Sequence, residues 1–244
     1  MTEAIIYLLA IAGAEAVTAF LVPSWGVLCY IIILSIIILR SALVNVYFHQ
    51  RLMLPLALVP LLRIISLTMD AMDIHEIWFY IGVYAPLLVA TVVLIRILKY
   101  NALDIGLNPQ WLGTQLVVGG TGILLAFIGY PFLRPEPLIA ELTWQEFWLP
   151  ALILLLCTGF VEEVIFRGVI QRGAVEELGR WGIVYVSLLS AVLYIGFLPV
   201  PWVAFVFFIS LYFGWIVKET DSILGVALAH GICNIALYLI VPFF

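Results

Sequence analysis

Residues 147–170 read FWLPALILLLCTGFVEEVIFRGVI, and two adjacent carboxylates, Glu162 and Glu163, stand inside this apolar run. No charge precedes them in the stretch, and Arg167 follows one turn later. The run is long enough to cross a hydrocarbon core as a helix. Ionised residues near mid-span cost about 2.5–3.5 kcal/mol each on insertion scales, so they are expected to face protein or water and to serve a purpose.

The rest of the chain has the same character. Of 244 residues, 66% are hydrophobic and 10% charged, against about 25% charged in a soluble domain. Runs of about 20 apolar residues recur throughout. No repeat, low-complexity tract or linker interrupts them, and a net charge of -5 is too diffuse to name a partner. Nucleic acid is not expected as one. The first run lacks a basic leader, so it reads as a retained span.

The expected fold is all-α, a polytopic transmembrane bundle of eight or nine spans. The runs are 4–22, 25–44, 52–69, 77–98, 111–132, 147–170, 182–198, 202–217 and 223–243. The third carries Pro55, Pro60 and Arg63 and reads as the weakest, broken or re-entrant. With a cytoplasmic N-terminus, the inner connections hold Arg40, Arg51, Arg96, Lys99, Arg172, Arg180 and Lys218, and the outer ones only Arg134. That asymmetry follows the positive-inside rule and predicts a multi-pass protein, of the cytoplasmic membrane, with its N-terminus inside. Thr143 and Glu146 fit a capping box opening the sixth span. The stretch QRGAVEELGRWG predicts a short amphipathic surface helix stopped near Gly179. Cys29, Cys157 and Cys233 lie within spans, without pairing or metal-ligand spacing, and read as small hydrophobes.

Glu163 and Arg167 are spaced i, i+4 and can neutralise each other. Glu162 is turned about 100° away and has no partner on its own helix. A carboxylate of this kind suits a group that takes a proton from water and returns it to a leaving amine. The bland alternative is a charge network that only ties helices together. In the last run, His230 and Asn234 are also i, i+4, beside the small Ala227 and Gly231. They offer two donors to one oxyanion, or plain interhelical hydrogen bonds. Both pairs fall in the half of the membrane nearer the basic connections.

The sequence Glu162-Glu163-Val164-Ile165-Phe166-Arg167 has the form EExxxR, and His230-Gly231-Ile232-Cys233-Asn234 the form HxxxN. In this order they resemble the CAAX prenyl endopeptidase and bacteriocin-processing family of glutamic intramembrane proteases. The resemblance covers 144–244, a CAAX-protease-like core, and leaves the spans in 1–143 without an assigned role. It implies that Glu162 activates water, that His230 and Asn234 hold the oxyanion, and that Glu163 and Arg167 support them. It requires no cofactor, and a lone His with two acids is thin ligation for a metal. The implied partner is a membrane-associated peptide in the bilayer, lipidated or not. The family's middle motif, FxxxH, has no histidine here, because its position falls on Leu198 or Phe197. His49 and His75 lie in earlier connections and do not fit the pattern. The expected activity is therefore weak. Two other readings stay open: a non-catalytic relative serving as a membrane scaffold or immunity protein, and a small proton-coupled transporter built on Glu162.

Overall fold

The computed structural model describes residues 2–43, 47–72, 76–195 and 199–244. Ten helices, numbered here in chain order, account for nearly all of them. Helices α1 (Thr2–Phe20) and α2 (Pro23–Leu43) form an antiparallel pair. The third run is two helices, α3 (Tyr47–Leu56) and α4 (Leu58–Asp70), broken at Ala57 between the two prolines. Next come α5 (Glu76–Ile97) and α6 (Leu112–Leu133). The sixth run is α7 (Trp144–Leu178), followed by α8 (Trp181–Val192), α9 (Val200–Thr220) and α10 (Leu224–Phe243). Among the described residues, eight helical stretches are long and apolar enough to cross a membrane. The protein is an integral, multi-pass membrane protein with an all-α fold.

Three expectations change. Among its described residues the seventh run is helical only as α8, which ends at Val192, and the extended backbone of Pro199 (ψ 146°) precedes α9. At 1.5 Å per residue the 12 residues of α8 reach only about 18 Å. The capping box does not form. Thr143 makes no side-chain cap bond, and Glu146 Oε2 instead accepts the N–H groups of Ala140 and Glu141, each at 3.0 Å. The surface helix is not separate, since Arg172–Leu178 prolongs α7 without a break. It stops at Gly179, whose φ of +59° suits a residue lacking Cβ.

Helix directions follow from paired contacts. Arg167 bonds Ser210, and Gln171 bonds Gly214, so α7 and α9 run parallel. His230 meets Glu163 and Asn234 meets Thr158, so α10 runs antiparallel to α7. Gly119 lies on Leu228, and Gly122 on Ala229, so α6 and α10 are parallel. Two parallel helices separated by α8 require the chain to return between them. The segment through α8 therefore makes that return, although its helix is too short to span alone.

Helix α7 occupies the centre. Val161, Ile165, Phe166 and Ile170 join a core shared with α1 to α5 and α8. Val164 and Val169 join a second core with α6, α9 and α10. The outward faces are apolar too: Leu9, Leu39, Val89, Val117, Phe127 and Phe208 are exposed, as expected of a surface solvated by lipid.

Small residues set the closest approaches. A Cβ on Gly159 would stand 2.8 Å from Ala227 O and 2.8 Å from Gly231 Cα, so α7 and α10 touch backbone to backbone. Gly159→Val is expected to force the helices apart at an overpacking cost of about 1–3 kcal/mol. A lower midpoint of thermal unfolding in detergent, together with lost His230–Glu163 contact, is the outcome to measure.

Candidate active site

Helix α7 is not uniformly α-helical around the acids. It widens to i→i+5 hydrogen bonding over Leu155–Val161 and again over Val164–Gln171. Glu162 and Glu163 sit at the junction, and Glu162 N–H donates to Cys157 O, five residues back. Such widened turns recur at functional sites. They redirect side chains without any change in hydropathy, so the sequence pattern gives no warning of them.

Glu163 is the buried member of the pair. Its Oε2 accepts from Arg167 Nε at 3.1 Å, within one turn as its spacing predicted. Its Oε1 lies 2.8 Å from His230 Nδ1. The other arm of the guanidinium, Arg167 Nη2, donates to the Ser210 hydroxyl on α9 at 2.8 Å. The parallel packing of α7 and α9 brings that hydroxyl within reach. Both charged side chains are 3% exposed, so neither has water in place of its partner.

Glu162 points elsewhere, into a cavity of about 330 Å³. Its Oε2 is 3.8 Å from His230 Nε2, and its Oε1 accepts a hydrogen bond from the Tyr84 hydroxyl. Asn234 borders the same cavity and donates from Nδ2 to Thr158 Oγ1 at 2.8 Å. Thr158 passes its own proton to Leu154 O at 2.7 Å. Asn234 therefore retains one N–H and its carbonyl for a further partner. The five residues singled out by sequence come together, and Glu162, His230 and Asn234 each combine cavity access with hydrogen-bonding capacity left over.

The histidine geometry constrains its protonation. Glu163 bears the Arg167 ion pair and so acts as a carboxylate, which only accepts hydrogen bonds. His230 Nδ1 must then carry hydrogen. Nε2, facing Glu162, carries one only when the ring is cationic. With a cationic ring, two glutamates balance one arginine and one histidine, and the buried cluster is neutral.

Sequence reasoning missed Tyr84. It lies on α5, far upstream of both motifs, and a tyrosine in an apolar span gives no distinguishing signal. It also missed a second ionic group. Glu15 on α1, fully buried, is paired with Arg63 on α4 and accepts from the Tyr30 hydroxyl. Arg63 was noted only as a weakness of its span, and yet it borders the same cavity as Glu162. The position expected for the middle histidine, Phe197 or Leu198, lies outside the described residues, as do the side chains of His49 and His75.

Residues 144–236 match the family model described as Rce1-like, type II CAAX prenyl endopeptidase. That segment belongs to the CAAX prenyl endopeptidase family. It contains Glu162, Glu163, Arg167, His230 and Asn234 but is less than half of the chain. No curated protein and no solved structure matches the sequence. Membership assigns the segment to a protease, and hence a hydrolase, family that works in membranes.

Breaking one side of the buried pair strands a charge, at about 3–5 kcal/mol. Arg167→Ala is therefore expected to lower yield and thermal stability in detergent. The double change Glu163→Gln with Arg167→Met should recover part of that loss, because no charge is stranded. Unchanged stability in the single variant would place the guanidinium in water.

Proposed function

We propose that the protein is an intramembrane endopeptidase that hydrolyses a peptide bond with water activated by Glu162. The observation that carries this reading is the meeting of Glu162 and His230, from two antiparallel helices, at 3.8 Å on the wall of one cavity. A water molecule resting against both side chains would be positioned beside a base. Attack on the carbonyl carbon gives its proton to Glu162 and its negative charge to the carbonyl oxygen. Cationic His230, through Nε2–H, and the remaining Asn234 N–H donate to that oxyanion. Collapse breaks the C–N bond, and Glu162 returns the proton to the leaving nitrogen. Glu163, held by Arg167, orients the imidazole through Nδ1.

Tyr84 fills a place in this scheme. It occupies one oxygen of Glu162, which directs the other toward His230, and so positions the base where the family would use its middle histidine. Helix α5 thereby brings the 1–143 region into the site, while 144–244 forms the protease-like core. The cavity walls are largely apolar, with Leu62, Phe79, Trp202, Phe205 and Val206 around the polar residues. They suit an apolar stretch of a membrane-associated peptide, lipidated or not.

The end bearing Lys99, Arg172 and Arg180 is the cytoplasmic one in this reading, by the same asymmetry of basic residues. A cysteine introduced by Arg180→Cys is expected to react with an impermeant thiol reagent only in inside-out vesicles.

Turnover of a quenched-fluorescent, membrane-associated peptide by the purified protein tests the chemistry. Glu162→Gln should abolish cleavage in a folded protein. His230→Ala and Tyr84→Phe should each lower kcat by about 10²-fold, a usual size for acid–base and orienting groups. Chelators should have no effect. A second reading draws on the missing histidine: a family member without catalysis that acts as a membrane scaffold. Its mark would be a biological activity that survives Glu162→Gln.

A further inference from the structure

Hydrolysis consumes one water per bond, and the cavity at Glu162 is walled mostly by apolar side chains. A second cavity, about 530 Å³, lies toward the basic end of the bundle. Its lining mixes apolar side chains with the polar Asn101, Asp104, Asn108, Arg172 and Asp221. Arg167 borders both cavities, and Gln171 borders the second. These two side chains, one turn apart on α7, form the partition between them.

Each leaves one polar atom without a partner. Arg167 uses Nε on Glu163 and Nη2 on Ser210, which leaves Nη1 unpaired. Gln171 donates from Nε2 to Gly214 O at 3.0 Å, which leaves Oε1 unpaired. Arg167 is 5% and Gln171 4% exposed. An unmet buried polar atom carries a desolvation penalty. Here the two are a donor and an acceptor on side chains four residues apart along α7. A water accepting from Nη1 and donating to Oε1 satisfies both, and buried waters are held in this way. A Cβ on Gly214 would stand 2.7 Å from Gln171 Oε1, so glycine there lets the amide lie flat against α9.

We infer that the second cavity is the water inlet of the site, with Arg167 Nη1 and Gln171 Oε1 holding the water that passes between the two cavities. The inference rests on the hydrolytic reading for its purpose but not for its geometry. Peptide and water then reach Glu162 from different sides: the peptide through the apolar cavity, and water from the basic end past the guanidinium. Arg167 thus has a second role beside neutralising Glu163.

The test uses full-length protein in which Cys29, Cys157 and Cys233 are replaced and thermal unfolding confirms folding. Ser210→Cys places a thiol beside Arg167, and Ag⁺, a probe near the size of water, is the reagent. Unreacted thiol is counted with a maleimide dye after unfolding. Val217→Trp plugs the second cavity from α9, and Val175→Trp plugs it from α7 should the first fail to fold. Neither valine borders the Glu162 cavity. The expected result is reaction of the thiol with Ag⁺, slowed about tenfold or more by either plug. In the chain with its cysteines intact, a plug should lower kcat for the quenched peptide by about tenfold with KM unchanged, the pattern of a defect after binding. A thiol that is inert to Ag⁺, or one that reacts equally fast with both plugs, overturns the inlet. Plug-sensitive Ag⁺ reaction in a protein that cleaves no peptide keeps the inlet and removes the protease reading.

Discussion

A charge inside a membrane must be matched within the protein, and the pairing of Glu163 with Arg167 is where that requirement organises this structure. One carboxylate oxygen takes the guanidinium from its own helix and the other takes the imidazole from α10, while the guanidinium reaches across to Ser210 on α9. Three helices are tied at one depth by four side chains. The pair on its own contributes little net stability, because desolvation offsets most of the attraction. Its effect is specificity: any shift of α9 or α10 along α7 takes a hydrogen bond away from a buried charge. Glu162 can face a cavity because its neighbour has taken on the work of charge balance.

Much of this was legible in the sequence, for physical reasons that differ by element. Apolar run length marked the spans, since hydrocarbon thickness fixes helix length. The Glu163–Arg167 pair could be read from spacing, and the union of 144–236 with a protease family from two short motifs. The shortfall of the seventh run was hidden by its apolar composition, which marks a span without marking where its helix stops. Tyr84 and Glu15 were hidden. Their roles depend on which helices become neighbours, and spacing along one helix says nothing of that. The partner of Glu146 was misjudged for a related reason, because a capping motif competes with free amides in the preceding loop.

The N-terminal helices have no counterpart in the matched segment, and still they close the cavity. Tyr84 on α5 donates a hydrogen bond to Glu162, and Arg63, matched by Glu15, faces the same space. A site of this kind is distributed: the motifs carry the reacting groups, and a separate set of spans supplies the enclosure and the orienting hydroxyl. The short α8 fits the same division, since it returns the chain so that α9 can run beside α7 in the same direction.

The widened turns of α7 have a consequence for how this gene can vary. Each residue of a helix advances the side-chain direction by about 100°. Removing a single residue from Leu155–Val161 could let ordinary i→i+4 bonding close up, with hydropathy and span length almost unaltered. A widened turn spreads the rotation of an α-turn over one more residue, so the flanks would keep their facing, but residues inside the stretch would change place, and Thr158 and Gly159 would no longer both meet Asn234 and Gly231. Substitutions among the leucines here conserve the membrane segment and its register. A one-codon deletion conserves only the first, so this stretch should be permissive to exchange of apolar residues and intolerant of any change in length.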